Sequence, residues 1–280
     1  MAAEVSLLSR NVHVTGDAFD TLSDTGTLGM HIMAAFQGVL RVSYTRLDFC
    51  GQANILGRYC LHFHVLGHCP DCLAIGNAIE EGWNAGITIH GSHDILVDQN
   101  VLYNTRGAGI YIEDGNEINN TVSSNTITCH TAVECQSHRE TGLYTIGMYN
   151  SFVDNRISNW QNTFFSPGGC CGGGYAWGSV CPQNTPFKKF KGQVTHDGAR
   201  FGIYFDNQFS RNVSLDADSK LLNNDRTSCA EFTSSGSDNG FLTVIEDSLE
   251  YHQLFLGQYS LGDFQYKGLV TVNSGANMYW

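Results

Sequence analysis

The sequence predicts an all-β fold, a parallel β-helix solenoid with coils of about 23 residues. One observation is a repeat, because Asn54, Asn77, Asn100 and Asn125 are 23, 23 and 25 residues apart. Another is that each repeat holds two short apolar runs alternating with polar residues, the period of a strand with one buried face. The composition agrees, since 31 of 280 residues are glycine and only 15% are charged, which favours a body dense in turns.

The repeats at residues 86–91 and 109–115 show the pattern best, Gly-Ile-Thr-Ile-His-Gly and Gly-Ile-Tyr-Ile-Glu-Asp-Gly. No repeat has space for an amphipathic helix of about ten residues, and the leucine-rich repeat consensus is absent. Strands of successive coils are therefore expected to pair in parallel around one continuous core. Asparagine at one place in each coil suits a ladder of side-chain amides; the alternative is that asparagine is simply common in turns.

The N-terminal part of the chain already has the solenoid pattern. Residues 5–16 predict strand, turn and strand, residues 17–30 a polar loop, and residues 31–50 the strands of another coil. Because no capping segment precedes residue 5, we expect either that a segment is missing upstream or that a partner covers this end. A secreted composition without a signal peptide favours a fragment of a longer extracellular chain, or an incomplete gene model.

The C-terminal half is less regular. Residues 126–142 are expected to form a loop pinned by a disulfide, and residues 143–159 to resume the coils. A long Gly/Cys-rich insertion is expected at 160–192, which contains Cys170, Cys171 and Cys181. The predicted organisation is β-helix coils over residues 1–210, then final coils and a C-terminal cap over residues 211–280.

Ten cysteines suit an oxidising compartment, although the sequence leaves their pairing open. Asn119 and Asn212 lie in glycosylation sequons, and no apolar stretch is long enough to span a membrane. The net charge of −12 argues against nucleic acid and anionic membrane surfaces as partners. These features predict a protein that is secreted or lies on the extracellular face of the cell. The Cys69-x-x-Cys72 motif beside His68 favours a local disulfide, or separate structural bridges from each cysteine, over a metal site.

Chemistry is predicted on one outer face of the coils. If the apolar residues of each repeat point inward, their neighbours point outward, and His64, His90 and Glu113 then form a column across successive coils. Two imidazoles and a carboxylate can hold a divalent metal ion, and the sequence implies no other cofactor. The same groups can serve as catalytic acid, base and charge stabiliser at a glycosidic bond.

Four residues flank this column as candidate substrate contacts: His62, Arg58, Tyr111 and Asp114. Asp206 joins the column if its coil aligns. The alternative is structural, because imidazoles stack well in columns and a glutamate beside a histidine is an ordinary surface pair.

The order of motifs along the chain resembles the β-helix region of the G8-domain family. That family includes fibrocystin, fibrocystin-like proteins and the hyaluronan-depolymerising cell-migration-inducing proteins. The motifs that carry the resemblance are His31-Ile32-Met33, Gly57-Arg58-Tyr59-Cys60-Leu61-His62-Phe63-His64, Thr88-Ile89-His90-Gly91 and Ile112-Glu113-Asp114-Gly115. Later segments, Ser228–Thr233 and Gly257–Asp263, are closer to fibrocystin-like members.

The resemblance implies a right-handed parallel β-helix from a large extracellular or cell-surface protein. Cys60 stands where the family has proline, which implies that this cysteine forms a disulfide. Two functions are compatible with the resemblance. One is a non-enzymatic module that binds polysaccharides or extracellular proteins, or associates end to end. The other is a polysaccharide-depolymerising enzyme that uses the His64, His90 and Glu113 column. The acidic net charge, with only Arg58 and Arg106 as basic neighbours of the column, favours the first.

Overall fold

A computed structural model describes residues 5–16, 29–130, 141–147, 149–168, 180, 182–208, 213–215, 221–224 and 243–280. In these ranges the chain winds into three parallel sheets, and each complete coil contributes one strand to each sheet. The predicted parallel β-helix is therefore confirmed. Within the same ranges, no helix has the length and apolar character needed to cross a bilayer.

The first sheet runs the length of the solenoid, and its register pairs like positions of successive coils, such as Leu47 with Ile79. Its strands, numbered in chain order, are β1 (Val12–Thr15), β4 (Thr45–Asp48), β7 (Ala78–Glu80), β10 (Val101–Tyr103), β13 (Thr126–Thr128), β16 (Arg156–Ser158), β19 (Val194–His196), β24 (Leu249–Tyr251) and β27 (Val270–Val272).

The second sheet contains the longest strands and carries the candidate site. Its strands are β2 (Ile32–Ala35), β5 (Leu61–His68), β8 (Ile87–His93), β11 (Ile110–Ile112), β14 (Thr141–Thr145), β17 (Asn162–Ser166), β20 (Phe201–Gln208), β25 (Leu256–Gly262) and β28 (Ala276–Tyr279).

The third sheet closes the coils. Its strands are β3 (Arg41–Ser43), β6 (Leu73–Ile75), β9 (Leu96–Asp98), β12 (Thr121–Ser123), β15 (Ser151–Val153), β18 (Lys189–Lys191), β23 (Thr243–Glu246) and β26 (Phe264–Lys267). Between β20 and β23, an antiparallel pair is formed by β21 (Val213–Leu215) and β22 (Leu221–Asn224). A short 3₁₀ helix spans Pro182–Asn184.

The core lies inside the three sheets, as the alternation of apolar and polar residues predicts. The six inward residues expected on the second sheet are all fully buried: Leu61, Phe63, Ile87, Ile89, Ile110 and Ile112. Further along the axis the aliphatic stack gives way to phenylalanine rings with centroids 5.1–5.7 Å apart, such as Phe152, Phe164, Phe190 and Phe205. Each such side chain contributes roughly 1.5–3 kcal/mol on burial.

An asparagine ladder connects the coils where the third sheet turns into the first. The side-chain amide of Asn77 donates to Asn100, that of Asn100 to Asn125, and that of Asn125 to Asn155, at 2.9–3.0 Å. The residue before each rung has a positive φ, 65° at Gly76 and 56° at Gln99. This left-handed turn aims the buried amide at the next coil.

The expectation that Asn54 belongs to this ladder is wrong. Asn54 is exposed in a loop after β4, and the rung below Asn77 is the backbone N–H of Thr45, which donates to the Asn77 side-chain oxygen. The loop of residues 51–59 lengthens this coil. Asn54 is therefore 23 residues before Asn77 only because of the loop's length, and it does not occupy the ladder position.

The expected insertion at 160–192 is narrower than predicted. Residues near its start form β17 and residues near its end form β18, and both strands pair in parallel with strands of the preceding coil. Residues 131–140 and 169–179 and most of residues 209–242 lie outside the described ranges. The disulfide loop predicted at 126–142 is narrower than expected, because its first residues form β13 and its last two begin β14, and the residues between 131 and 140 lie outside the described part of the chain. The cap expected within 211–280 stays a prediction, whereas β23 to β28 continue the coils to Tyr279.

Glu250 in β24 provides a test of the core by pH. Its side chain is fully buried, and burial raises its pKa well above the usual 4.5. Because the folded state holds this proton more tightly than the unfolded state, the free energy of unfolding falls as pH rises from 4.5 towards the raised pKa, by about 1.4 kcal/mol per pH unit. Glu250→Gln should remove this slope in urea titrations at several pH values. An unchanged slope in Glu250→Gln would show that the carboxyl is charged in the fold.

Candidate metal centre on the outer face of the second sheet

Three neighbouring strands of the second sheet, β5, β8 and β11, bring the candidate residues together. The parallel register pairs His64 with His90. The backbone N–H of Glu113 donates to the carbonyl of Ile89, which places Glu113 beside His90 on the next coil. The column of His64, His90 and Glu113 that the alternation predicts is therefore present as a geometric feature.

A compact group of three histidines forms the centre of the site. The ligating nitrogens of His62, His64 and His90 all lie within 4.8 Å of one another. The Nδ1 atoms of His64 and His90 are 3.0 Å apart, and the rings of His62 and His90 are nearly parallel, with centroids 5.8 Å apart. Although they lie on the outer face of the sheet, His62 and His90 are only 1% and 8% exposed.

Two of these rings are held so that one nitrogen points into the group. His62 Nδ1 lies 3.0 Å from the carbonyl oxygen of Gly57 and donates to it, so Nε2 keeps its lone pair. His90 Nε2 donates to Asp114 at 3.0 Å, which leaves Nδ1 facing His64. His62 Nε2 is buried and, within the described part of the chain, has no hydrogen-bond partner. Such outer hydrogen bonds are typical of histidines that bind metals.

The protonation state of two of the three rings, His62 and His64, suits a bound cation. Burial lowers the pKa of His62 to about 3, and burial together with the charge of His90 lowers the pKa of His64. Both rings are therefore neutral at pH 7, the state in which imidazole binds a metal. Burial also lowers the pKa of His90, but the hydrogen bond to Asp114 and the charge of Glu113 outweigh it and raise this pKa overall.

Glu113 stands at the edge of the histidine group. Its carboxylate oxygen is 3.7 Å from His90 Nδ1, and its other oxygen accepts a hydrogen bond from the Tyr59 hydroxyl at 3.3 Å. The Glu113 side chain is 13% exposed, whereas the side chain of Asp114, the next residue, is 2% exposed. Glu113 thus reaches both the histidines and the solvent side of the site.

A buried carboxylate, Glu117, holds the turn that carries these two acids. It accepts the backbone N–H groups of Gly91, Asp114 and Gly115 at 2.7–3.0 Å. Burial raises the pKa of Glu117 to about 7, in spite of these three hydrogen bonds. The turn that carries Glu113 and Asp114 is therefore tied to the strand end that carries His90.

The loop of residues 51–59, called the covering loop, packs against His62. The Cys50–Cys60 disulfide closes its base, as the resemblance implied for Cys60. A backbone hydrogen bond from Gln52 to Arg58 at 2.8 Å closes the loop a second time. The loop supplies the carbonyl that orients His62, so the coil extension and the chemistry of the site are coupled.

The spacing of one histidine pair agrees with that of two ligands of a tetrahedral divalent ion. A zinc ion with metal–nitrogen bonds of about 2.0–2.1 Å keeps its nitrogen ligands roughly 3.3 Å apart, close to the 3.0 Å between His64 and His90. Three imidazoles leave a fourth position for water or substrate. His62, expected to be a substrate contact, belongs to this group of nitrogens, whereas Glu113, expected to be a ligand, lies beside it.

The other predicted site residues are distributed around this centre. Tyr111 packs against Tyr59 with ring centroids 5.9 Å apart, and Arg58 lies exposed in the covering loop. Asp206 has the same register position as Glu113 but on a coil three steps away, and it accepts the Tyr204 hydroxyl. It takes no part in this site.

Sequence reasoning missed His31, Tyr59 and Glu117. His31 Nδ1 lies 2.7 Å from the Tyr59 carbonyl oxygen, and its ring lies 6.2 Å from that of His62. His31 and Tyr59 both lie in motifs that carry the family resemblance, which was a usable signal. Glu117 lies in a loop without periodicity, so no pattern marks it.

Two further expectations concern modification and cysteine pairing. Of the two expected alternatives for Cys69 and Cys72, the structure has the local disulfide, and His68 pairs with Asp94 at 2.6 Å. Asn119 accepts a hydrogen bond from Lys188 at 3.1 Å. Its glycosylation stays a prediction, as does that of Asn212, which lies outside the described residues.

Comparison with known proteins agrees with this architecture. A family model described as the CEMIP beta-helix matches residues 27–165. A G8 domain-containing protein of Dictyostelium discoideum is 27% identical over 227 residues, which cover 73% of this chain and 16% of that protein. Human fibrocystin-L is 38% identical over 86 residues, 30% of this chain and 2% of that protein. The human cell surface hyaluronidase CEMIP2 is 32% identical over 142 residues, 45% of this chain and 10% of that protein.

The chain spans less than a fifth of the length of each of these three proteins. The matched region contains every residue of the histidine and carboxylate cluster. The resemblance inferred from the sequence motifs is confirmed. Three parallel sheets, the family match and the named relatives together support a G8/CEMIP-like β-helix family for this chain.

Proposed function

We propose that this chain is an extracellular or cell-surface β-helix module that depolymerises polysaccharides at the His62, His64 and His90 group with a divalent transition-metal ion. The observation that carries the proposal is the convergence of three imidazole nitrogens, two of them oriented by outer hydrogen bonds. Burying an imidazole nitrogen without a hydrogen-bond partner costs free energy. Coordination to a metal ion would remove that cost.

The residues around the ion have distinct roles in this proposal. A divalent ion lowers the pKa of a bound water or polarises a sugar oxygen. Glu113 lies close enough to accept or donate a proton at the open side of the group. The Tyr59 hydroxyl positions that carboxylate, and Asp114 holds the His90 ring.

Two findings support the substrate class and the location. A relative that matches 45% of this chain is a cell surface hyaluronidase by name. The Cys50–Cys60 and Cys69–Cys72 disulfides suit an oxidising compartment outside the cytosol. The flat outer face of a parallel sheet also has the shape to receive an extended sugar chain.

A second candidate function is a non-enzymatic module that binds polysaccharides. The observation that favours it is a column of aromatic rings that continues the Tyr111 position along the second sheet. Tyr204 stacks on Phe165 and on Tyr259 with centroids 4.4 and 4.6 Å apart. A polymer lying along the solenoid axis would contact the ring edges and the tyrosine hydroxyls of this aromatic column, and it would not need a catalytic group.

The test is to incubate the secreted chain with a panel of polysaccharides, hyaluronan included, and to measure product size with and without chelator. We expect chelator-sensitive shortening of at least one polymer. His90→Ala should lower the rate at least about 100-fold while far-ultraviolet circular dichroism stays unchanged. His68→Ala is the matched control, because His68 is exposed and lies outside the group, and it should retain full activity.

The outcomes separate the two candidates. Cleavage that survives in folded His90→Ala contradicts the proposed centre. Binding of intact polymers by the wild-type chain, with no shortening at any metal concentration, supports the non-enzymatic module instead.

A further inference from the structure

The Cys69–Cys72 disulfide lies in the turn between β5 of the second sheet and β6 of the third. The two cysteines are three residues apart, in the motif Cys69-Pro70-Asp71-Cys72, a spacing that thiol–disulfide exchange sites share. Pro70 and Asp71 are exposed, so solvent reaches this turn. The proposed cleavage of polysaccharides makes no use of this motif.

Hydrogen bonds hold the turn in place independently of the disulfide. The backbone N–H of Cys69 donates to the carbonyl of His93 at 3.0 Å, and that of Cys72 donates to the carbonyl of Cys69 at 2.9 Å. The side chain of Arg41 donates to the carbonyl of Asp71 at 2.8 Å. The two sulfurs would therefore stay close together after reduction, and the disulfide can open and close while the coil stays folded.

An imidazole–carboxylate pair adjoins the disulfide. His68, the residue before Cys69, has a side chain that is 70% exposed, and its Nδ1 donates to Asp94 at 2.6 Å. This bond fixes the proton on Nδ1 of the neutral ring, so Nε2 keeps a lone pair and can accept a proton. A base held by a carboxylate in this way activates an attacking nucleophile, and a thiol attacks a disulfide as its thiolate.

A backbone N–H supports one sulfur as a leaving group. The N–H of Leu40 donates to Cys72 Sγ at 3.4 Å, and such a hydrogen bond strengthens when the sulfur becomes an anion. Cys72 is fully buried, whereas Cys69 is 6% exposed. This asymmetry predicts that an incoming thiolate attacks Cys69 Sγ and that Cys72 Sγ departs.

We infer that the Cys69–Cys72 disulfide is a thiol–disulfide exchange site for small thiols of the cysteine and glutathione class. His68 Nε2 takes the proton of the thiol, and the thiolate sulfur forms a bond with Cys69 Sγ. The bond between the two protein sulfurs breaks, its electron pair stays on Cys72 Sγ, and the proton on His68 passes to that sulfur. A second thiol then attacks the mixed disulfide at Cys69.

The products of the two steps balance. The second attack releases the disulfide of the small thiol and leaves Cys69 and Cys72 as two protein thiols. Two small thiols are thus oxidised by two electrons in total, and the protein disulfide is reduced. The slight exposure of Cys69 suits a small thiol as the reactant.

The experiment is to incubate the folded full chain with reduced glutathione, to quench samples with N-ethylmaleimide, and to map the modified cysteines by mass spectrometry of peptides. Cys69 and Cys72 should react at least about 100-fold faster than Cys50 and Cys60, which are fully buried. Far-ultraviolet circular dichroism should stay unchanged as the disulfide opens. Equal rates for the two disulfides, or loss of the fold on opening, would overturn the inference.

Two cysteine variants test the direction of attack. Cys72→Ser leaves Cys69 as the accessible thiol, and incubation with glutathione disulfide should give a stable mixed disulfide at Cys69. Cys69→Ser leaves the buried Cys72, which should form its adduct at least about 10-fold more slowly. Equal rates in the two folded variants would contradict the proposed roles of the two sulfurs.

His68→Ala tests the base. It should slow the opening of the disulfide by glutathione at least about 10-fold and leave the final ratio of open to closed disulfide unchanged, because a base alters the rate and not the equilibrium. His252→Ala is the matched control, since His252 is also exposed and pairs with an aspartate, Asp197, at 3.5 Å. An unchanged rate in folded His68→Ala would overturn the proposed activation. Polysaccharide cleavage is measured separately and needs no His68.

Discussion

His62→Ala is expected to lower the affinity of this chain for Zn²⁺ by more than about 100-fold at pH 7.5, since it removes one of three ligands. The wild-type ring is fixed by the Gly57 carbonyl with its Nε2 directed inward, buried and without a partner in the described ranges. Because burial lowers the pKa of His62 to about 3, the ring is ready to bind a cation without losing a proton. Calorimetric titration and metal content after dialysis would measure the change.

The matched control for this experiment is again His68→Ala, which removes an exposed imidazole on the same strand, β5. It should bind Zn²⁺ with wild-type affinity. If His62→Ala is folded and binds one equivalent of Zn²⁺ as tightly as wild type, the three-histidine centre is wrong and the column is a structural ladder. The three-histidine centre is also wrong if the wild-type chain binds no Zn²⁺ at all.

Asn100→Ala is expected to lower the free energy of unfolding by about 3–5 kcal/mol. The Asn100 side chain makes four hydrogen bonds, to the backbone and side chain of Asn77, to the carbonyl of Ala74 and to Asn125. All lie in the buried turn between sheets, so their loss leaves the Asn77 N–H and the Ala74 carbonyl buried without partners. Urea denaturation followed by circular dichroism measures the loss.

Asn54→Ala is the comparison that isolates the ladder. Asn54 is exposed but has a φ of 59°, so alanine there should cost only about 1 kcal/mol, the strain of a left-handed backbone. Equal losses for the two variants would show that the ladder contributes nothing beyond turn propensity.

Much of the fold was predictable because the β-helix is almost one-dimensional. Each coil pairs only with its neighbours, so a repeat spacing and a two-residue alternation set which side chains share a face. Ile87 and Ile89 are buried, and His64 and His90 are paired, for that reason. The local disulfide between Cys69 and Cys72 was predictable because it lies within one turn.

The boundaries of the irregular segments were less predictable. Asn54 matches the repeat spacing yet lies in the loop of residues 51–59, and β17 and β18 lie where glycine and cysteine suggested an insertion. In both places the pairing decides the boundary. Whether a segment pairs with its neighbours depends on the coil that it meets, and residue spacing alone does not contain that information.

The sequence by itself determined the solenoid, the faces of its strands and the column of His64, His90 and Glu113. Only the tertiary structure decided that His62 joins that column as a third nitrogen, that Glu117 fixes the neighbouring turn, and that His68 pairs with Asp94 beside the Cys69–Cys72 disulfide. The physical reason is that strand alternation and coil stacking are periodic, local rules. The site, in contrast, depends on a loop that folds back across several coils, and its contacts follow from its own geometry rather than from the repeat.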